Sequence, residues 1–180
     1  MNKTKARSRL FDENSDAIKK RSVSSKKLIR GVKLVKLKDH HAEDGSLVEI
    51  GRLNSGRLPE CNNFQIRQIT YSETIVENVK AWHYHYYQND LWFLPKNQPI
   101  LVGLLDLRKE SKIQLVVNQL YLGKDISHLL FIPRGVAHGY KSLSKVPLKV
   151  FYFTDKTYNP NNPDEHELDW QILGVKFWQL

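Results

Sequence analysis

Two short stretches carry the residue types best suited to chemistry: residues 80–90, KAWHYHYYQND, and residues 132–139, IPRGVAHG. Three of the seven histidines fall in them. His83 and His85 are one residue apart, so on a β-strand, where side chains alternate, both face the same way. Asp90 follows after a short spacer. Pro133, Gly135 and His138 form a P-x-G-x-x-H cluster from elsewhere in the chain. The set supports two chemistries. Imidazole titrates near neutrality, so His83 is a candidate acid or base. Three imidazoles and one carboxylate, from His83, His85, His138 and Asp90, are also a donor set for Fe, Mn, Ni or Zn.

Both stretches sit among runs that read as strands. GVKLVKLK from Gly31, SLVEIGRL, FQIRQITYS, residues 74–87, KIQLVVNQLYLG, SHLLFIP and PLKVFYFT are alternating or rich in β-branched and aromatic residues. PILVGLLDLR is apolar almost throughout, which predicts a strand covered on both faces. Residues 40–45 and 158–167 read as polar loops, and residues 54–63 as turns. No long amphipathic helix is present in the pattern. Many short strands at close spacing predict an all-β sandwich or barrel. His40 and His41 read as surface residues, and His128 and His166 receive no role. Trp82, Tyr84, Tyr86 and Trp92 read as core or subunit-interface residues, given the area aromatic rings bury.

A chain of 180 residues is long enough for one domain with a core. Its net charge of +9 is unevenly spread. Residues 1–36 hold 12 basic and 3 acidic side chains, and the rest of the chain holds 16 of each. The excess is therefore a basic arm, drawn here as residues 1–27, ahead of a balanced domain of residues 28–180. The arm lacks the apolar content to offset its own ordering entropy. No recognition module accompanies it, so nucleic acid is not an expected partner. No apolar run is long enough to span a bilayer. One cysteine, Cys61, excludes an intrachain disulfide and fits a reducing compartment, which predicts a cytoplasmic protein.

Five motifs in order carry a family resemblance: GSLVEI, the segment around Gln68, KAWHYH, DLRKES with IPRGVAHGY, and the closing TDKTYNPNNPDEHELDW. Together they resemble the dTDP-4-dehydrorhamnose 3,5-epimerase family of the cupin superfamily, from about Lys33 onward. The resemblance implies a cupin-type jelly-roll β-barrel, a homodimer and an isomerase. Its substrate would be a dTDP-4-keto-6-deoxy sugar or a similar nucleotide sugar, and it would need no cofactor. A proton beside the keto group would be removed on one face and returned on the other.

By the same resemblance His83 is the base, and Tyr152 or Tyr140 the acid. Glu49, Gln68, Lys80, His85, Arg108, His138 and Lys141 are the substrate-binding candidates. The family's opposite-face tyrosine falls on Phe151 without a gap and on Tyr152 with one. The sequence also departs from the family. Asp90 stands where the family has a lysine, Lys80 and Asp44 where it has arginines. Gln171 stands near the carboxylate that orients the base. These changes point away from the standard double epimerase and toward a single epimerase or a keto-isomerase. They also approach the metal-binding cupin pattern, H-x-H, a carboxylate and P-x-G-x-x-H, here His83, His85, Asp90 and His138. The alternative expectations are thus a metal-dependent cupin enzyme or a non-catalytic sugar-nucleotide binder.

Overall fold

The structure is a computed structural model that describes residues 18, 22–24, 27–109 and 116–179. In chain order the strands are β1 (Ser22–Ser24), β2 (Lys33–Lys36), β3 (Asp39–Ala42), β4 (Gly45–Val48), β5 (Arg57–Leu58), β6 (Phe64–Gln65), β7 (Gln68–Thr74), β8 (Val79–Tyr84), β9 (Asp90–Leu94), β10 (Ile100–Asp106), β11 (Val116–Leu122), β12 (His128–Ile132), β13 (Val136–Ser142), β14 (Leu148–Thr154) and β15 (His166–Glu167). A six-stranded sheet runs β1-β11-β10-β13-β8-β15, and a five-stranded sheet runs β2-β12-β9-β14-β7. All pairings in them are antiparallel except β1 with β11. This is the jelly-roll architecture that the strand spacing and the resemblance predict.

The central strands β9, β10 and β12 are covered on both faces, which explains why they read as apolar runs, while the edge strand β7 is mostly exposed. On β10, Ile100, Val102 and Leu104 point between the sheets and meet Trp92, Leu94 and Val150. The alternate residues Leu101 and Leu105 point outward into a second cluster with Trp82, Phe177 and Trp178. The C-terminal 3-10 helix Val175–Trp178 supplies that cover. Trp82 and Trp178 lie with ring centroids 5.0 Å apart, an arrangement that contributes about 1 kcal/mol beyond simple burial. Gly103 makes it possible: a Cβ there would lie 2.5 Å from the Trp82 ring and 2.7 Å from that of Phe177. On β9, Leu91 and Phe93 point outward beneath Leu58, Cys61 and Phe64. Burial there pushes the Cys61 thiol up to about 11.

Residues 40–45, expected as a loop, belong instead to a hairpin in which β3 pairs with β4. Most of its side chains are exposed, so no apolar alternation marked it. Asp44 lies in its turn. Of the basic arm, residues 1–17, 19–21 and 25–26 lie outside the described residues. Ser22–Ser24 pair with β11, and Ile18 joins the outer cluster of the six-stranded sheet. Among the described residues no helix is long and apolar enough to cross a membrane.

Candidate active site

Between the sheets, at the end where β8, β13 and β14 approach the closing segment, lies a cavity of about 490 Å³. A β-bulge decides what faces it. The ladder pairs His138 with His83 but Tyr140 with Lys80, so β8 carries an extra residue there. Strict alternation would send Lys80 and His83 to opposite faces. With the bulge, both line the cavity, while Trp82 and Tyr84 turn into the outer core. Gly139 permits the close strand approach, since a Cβ there would stand 2.2 Å from that of Ala81.

His83 is 29% exposed and faces two carboxylates of the closing segment: Nδ1 is 3.1 Å from Glu165 Oε1 and 3.5 Å from Glu167 Oε1. The register between β15 and β8 sets Glu167 opposite His83. The Glu165 carboxylate raises the imidazole pKa, outweighing burial, and is itself held below the usual carboxylate range by His83. The carboxylate beside His83 is therefore that of Glu165, and Gln171, near the position where the resemblance has a carboxylate, is exposed on the tail. The sequence signal for Glu165 was its place in the closing motif, beside the two residues that form β15.

Tyr152 lies on β14, in the other sheet. Its hydroxyl is 2.9 Å from that of Tyr140, which is 2.8 Å from Thr74 Oγ1. Burial, followed by the neighbouring Tyr140, raises the Tyr152 pKa far above its ordinary value. Phe151, the other candidate register, points away from the cavity and packs on Phe93 and Tyr71. Lys80 Nζ donates to Ser72 Oγ at 3.0 Å. Gln68 accepts from the backbone N–H of Tyr158 at 2.8 Å and so ties β7 to the closing segment. His85, Asp90 and His138 are buried in the cavity wall. Burial pushes the His138 pKa down to about 4.

Three expected binding residues lie elsewhere in this chain. Arg108 is committed to Asp106, through contacts of 2.7 and 2.9 Å, and to the Arg30 carbonyl. Glu49 pairs at the surface with Arg52, at 2.9 Å. Lys141 follows the cavity-facing Tyr140 on β13, and alternation turns it away. Of the four expected metal donors, His85, Asp90 and His138 converge with one donor atom each within 4.8 Å, and His83 is not among them. Ser72, Gln88, Lys156, Asn159 and Asp164 line the cavity without having been singled out in the sequence. They are common polar types in loops and strands, with no spacing to mark them.

The family model of dTDP-4-dehydrorhamnose 3,5-epimerase matches residues 26–179. The chain belongs to this family. It is 40% identical over 150 residues to the spore coat polysaccharide biosynthesis protein SpsL of Bacillus subtilis, a match spanning 83% of this chain and 95% of that protein. A dTDP sugar isomerase from Desulfovibrio desulfuricans has a solved structure similar at a TM-score of 0.70 and 27% identity, over 83% of this chain and 92% of that one. The dTDP-4-dehydrorhamnose 3,5-epimerase of Sulfolobus tokodaii matches the fold at a TM-score of 0.71 and 24% identity, over 87% of this chain and 86% of that one. Membership in the dTDP-4-dehydrorhamnose 3,5-epimerase family makes the chain an isomerase-class enzyme that acts on nucleotide sugars.

Proposed function

We propose that the chain epimerises a dTDP-4-keto-6-deoxy sugar, or a closely similar nucleotide sugar, with His83 as base and Tyr152 as acid. The observation that carries this reading is their placement. His83 comes from β8 in one sheet and Tyr152 from β14 in the other, and both line one cavity. A sugar ring lying between the sheets would meet the base on one face and the phenol on the other, as inversion at a carbon beside a keto group requires. Glu165 Oε1 faces the Nδ1 side of His83 at 3.1 Å, an ion-pair distance, so it would steady the imidazolium that forms and leave Nε2 for the substrate proton. Tyr140 and Thr74 continue the hydroxyl chain behind Tyr152 and orient the proton that it returns. Lys80 and Lys156 are the cavity's lysines and the candidates to meet the diphosphate.

Incubation with dTDP-4-keto-6-deoxyglucose, followed by proton NMR of the sugar, tests the reading. A product inverted at one or both carbons beside the keto group is expected. Unchanged substrate, with this sugar and with its close analogues, would overturn it. The same reading takes the chain as a homodimer, because β7 is an edge strand that exposes Ile69 and Tyr71. A monomer in sedimentation would count against that. With Cys61 buried and free, we place the protein in a reducing compartment, the cytoplasm.

A further inference from the structure

His85, Asp90 and His138 form a second polar cluster that the proton transfers above do not use. All three are buried. His85 Nε2 is 3.8 Å from Asp90 Oδ1, and His138 Nε2 is 3.4 Å from Asp90 Oδ2. The far nitrogen of each ring decides what the near one presents. His85 Nδ1 meets the carbonyl oxygen of Asp164, and His138 Nδ1 meets that of Val136 at 3.1 Å. A carbonyl only accepts, so each Nδ1 carries the proton. In both rings the atom facing Asp90 is then Nε2, at 3.8 Å for His85 and 3.4 Å for His138.

The neighbouring donors answer only part of this. Gln88 Nε2 donates to Asp90 Oδ1 at 2.9 Å and lies 3.4 Å from His85 Nε2. Trp92 Nε1 approaches Asp90 Oδ2 at 3.5 Å, at the limit of a hydrogen bond. His138 Nε2 and Asp90 Oδ2 face each other at 3.4 Å, too close to be indifferent to what lies between them. A shared proton would satisfy that one pair. A divalent cation would satisfy all three side chains together. A ring Nδ1–H held by a backbone carbonyl is also how histidine ligands are oriented on metals.

We propose that His85, Asp90 and His138 bind one divalent first-row transition metal ion, through the two Nε2 atoms and a carboxylate oxygen. Two imidazoles and one carboxylate leave coordination positions open. All three side chains line the sugar cavity, so a substrate oxygen can reach the open side. His83 stays outside the set, with its Nδ1 facing Glu165. On the epimerase reading, which this part alone rests on, a bound ion would supply a Lewis acid to the keto oxygen.

The test is metal binding by the full chain, stripped with a chelator and then dialysed separately against Co²⁺, Zn²⁺ and Mn²⁺. Elemental analysis is expected to find about one ion per chain for at least one of these metals, and bound Co²⁺ to show visible absorption bands. Binding should weaken by about tenfold or more in Asp90→Asn and in His85→Gln, and persist in His83→Ala. A rise in the wild-type Tm on adding the metal gives a readout that needs no variant to fold. Three results would each overturn the proposal: no stoichiometric uptake, uptake unchanged in a folded Asp90→Asn protein, or uptake lost in a folded His83→Ala protein. Deuterium exchange into the sugar, measured on the same samples, keeps the two ideas apart. Binding without exchange defeats the epimerase reading only, and exchange without binding defeats the metal site only.

Discussion

His83 and His138 are partners across the β8/β13 ladder, and both line the same cavity, yet they titrate in opposite directions. His83 is partly exposed and has Glu165 and Glu167 within 3.5 Å, so its pKa rises. His138 is 4% exposed, and desolvation outweighs the pull of Asp90, so its pKa falls to about 4. The difference shows that residue type alone does not make a base. A base needs a carboxylate on its far side and access to substrate on its near side. The bulge in β8 and the two-residue strand β15 supply both to His83. His138 is a neutral, buried acceptor near neutrality, suited to holding something and not to shuttling protons.

Substitutions can break or sharpen this contrast. The largest effect is expected from His83→Ala, with kcat lower by about 10³-fold, because that substitution removes the proposed base. Tyr152→Phe should lower epimerisation by about 10²-fold while the proton beside the keto group still exchanges with solvent, since His83 remains. Comparing product formation with exchange in that variant checks the division of labour between the two faces.

Glu165→Gln should cost about tenfold and also move the pH profile. Glu165 raises the His83 pKa, and the base works when neutral, so activity climbs as pH rises through that pKa. Removing the carboxylate charge lowers the pKa, and the acidic limb of kcat/KM should shift to lower pH. A limb that stays in place would mean that another group titrates there. Lys141→Ala should change kcat/KM by less than about twofold, because Lys141 occupies the outward face of β13. A large rise in KM would mean that this face meets the substrate.

The sheets were legible in the sequence because their central strands are buried on both sides, their edge strands alternate, and turns space them. PILVGLLDLR became β10, with every residue buried. The hairpin of β3 and β4 was not legible, because exposed polar strands carry no periodic mark. His83, Lys80 and Tyr152, singled out by motif position, come together on one cavity. Glu165 was not singled out, since a carboxylate in a polar loop looks like a solvated charge until β15 docks its segment on β8. Arg108 and Lys141 were misplaced for the opposite reason. A motif match gives their position but not their direction, and that is fixed by Asp106 in one case and by strand alternation in the other.

On the proposed mechanism His83, facing Glu165, removes a proton beside the keto group. The most direct test is solvent-deuterium exchange into dTDP-4-keto-6-deoxyglucose, followed by NMR for the wild-type chain and for His83→Ala. Deuterium is expected beside the keto group with the wild type, and a rate at the uncatalysed background with the variant. Exchange at wild-type rate in a folded His83→Ala protein would contradict it and assign the base to another residue.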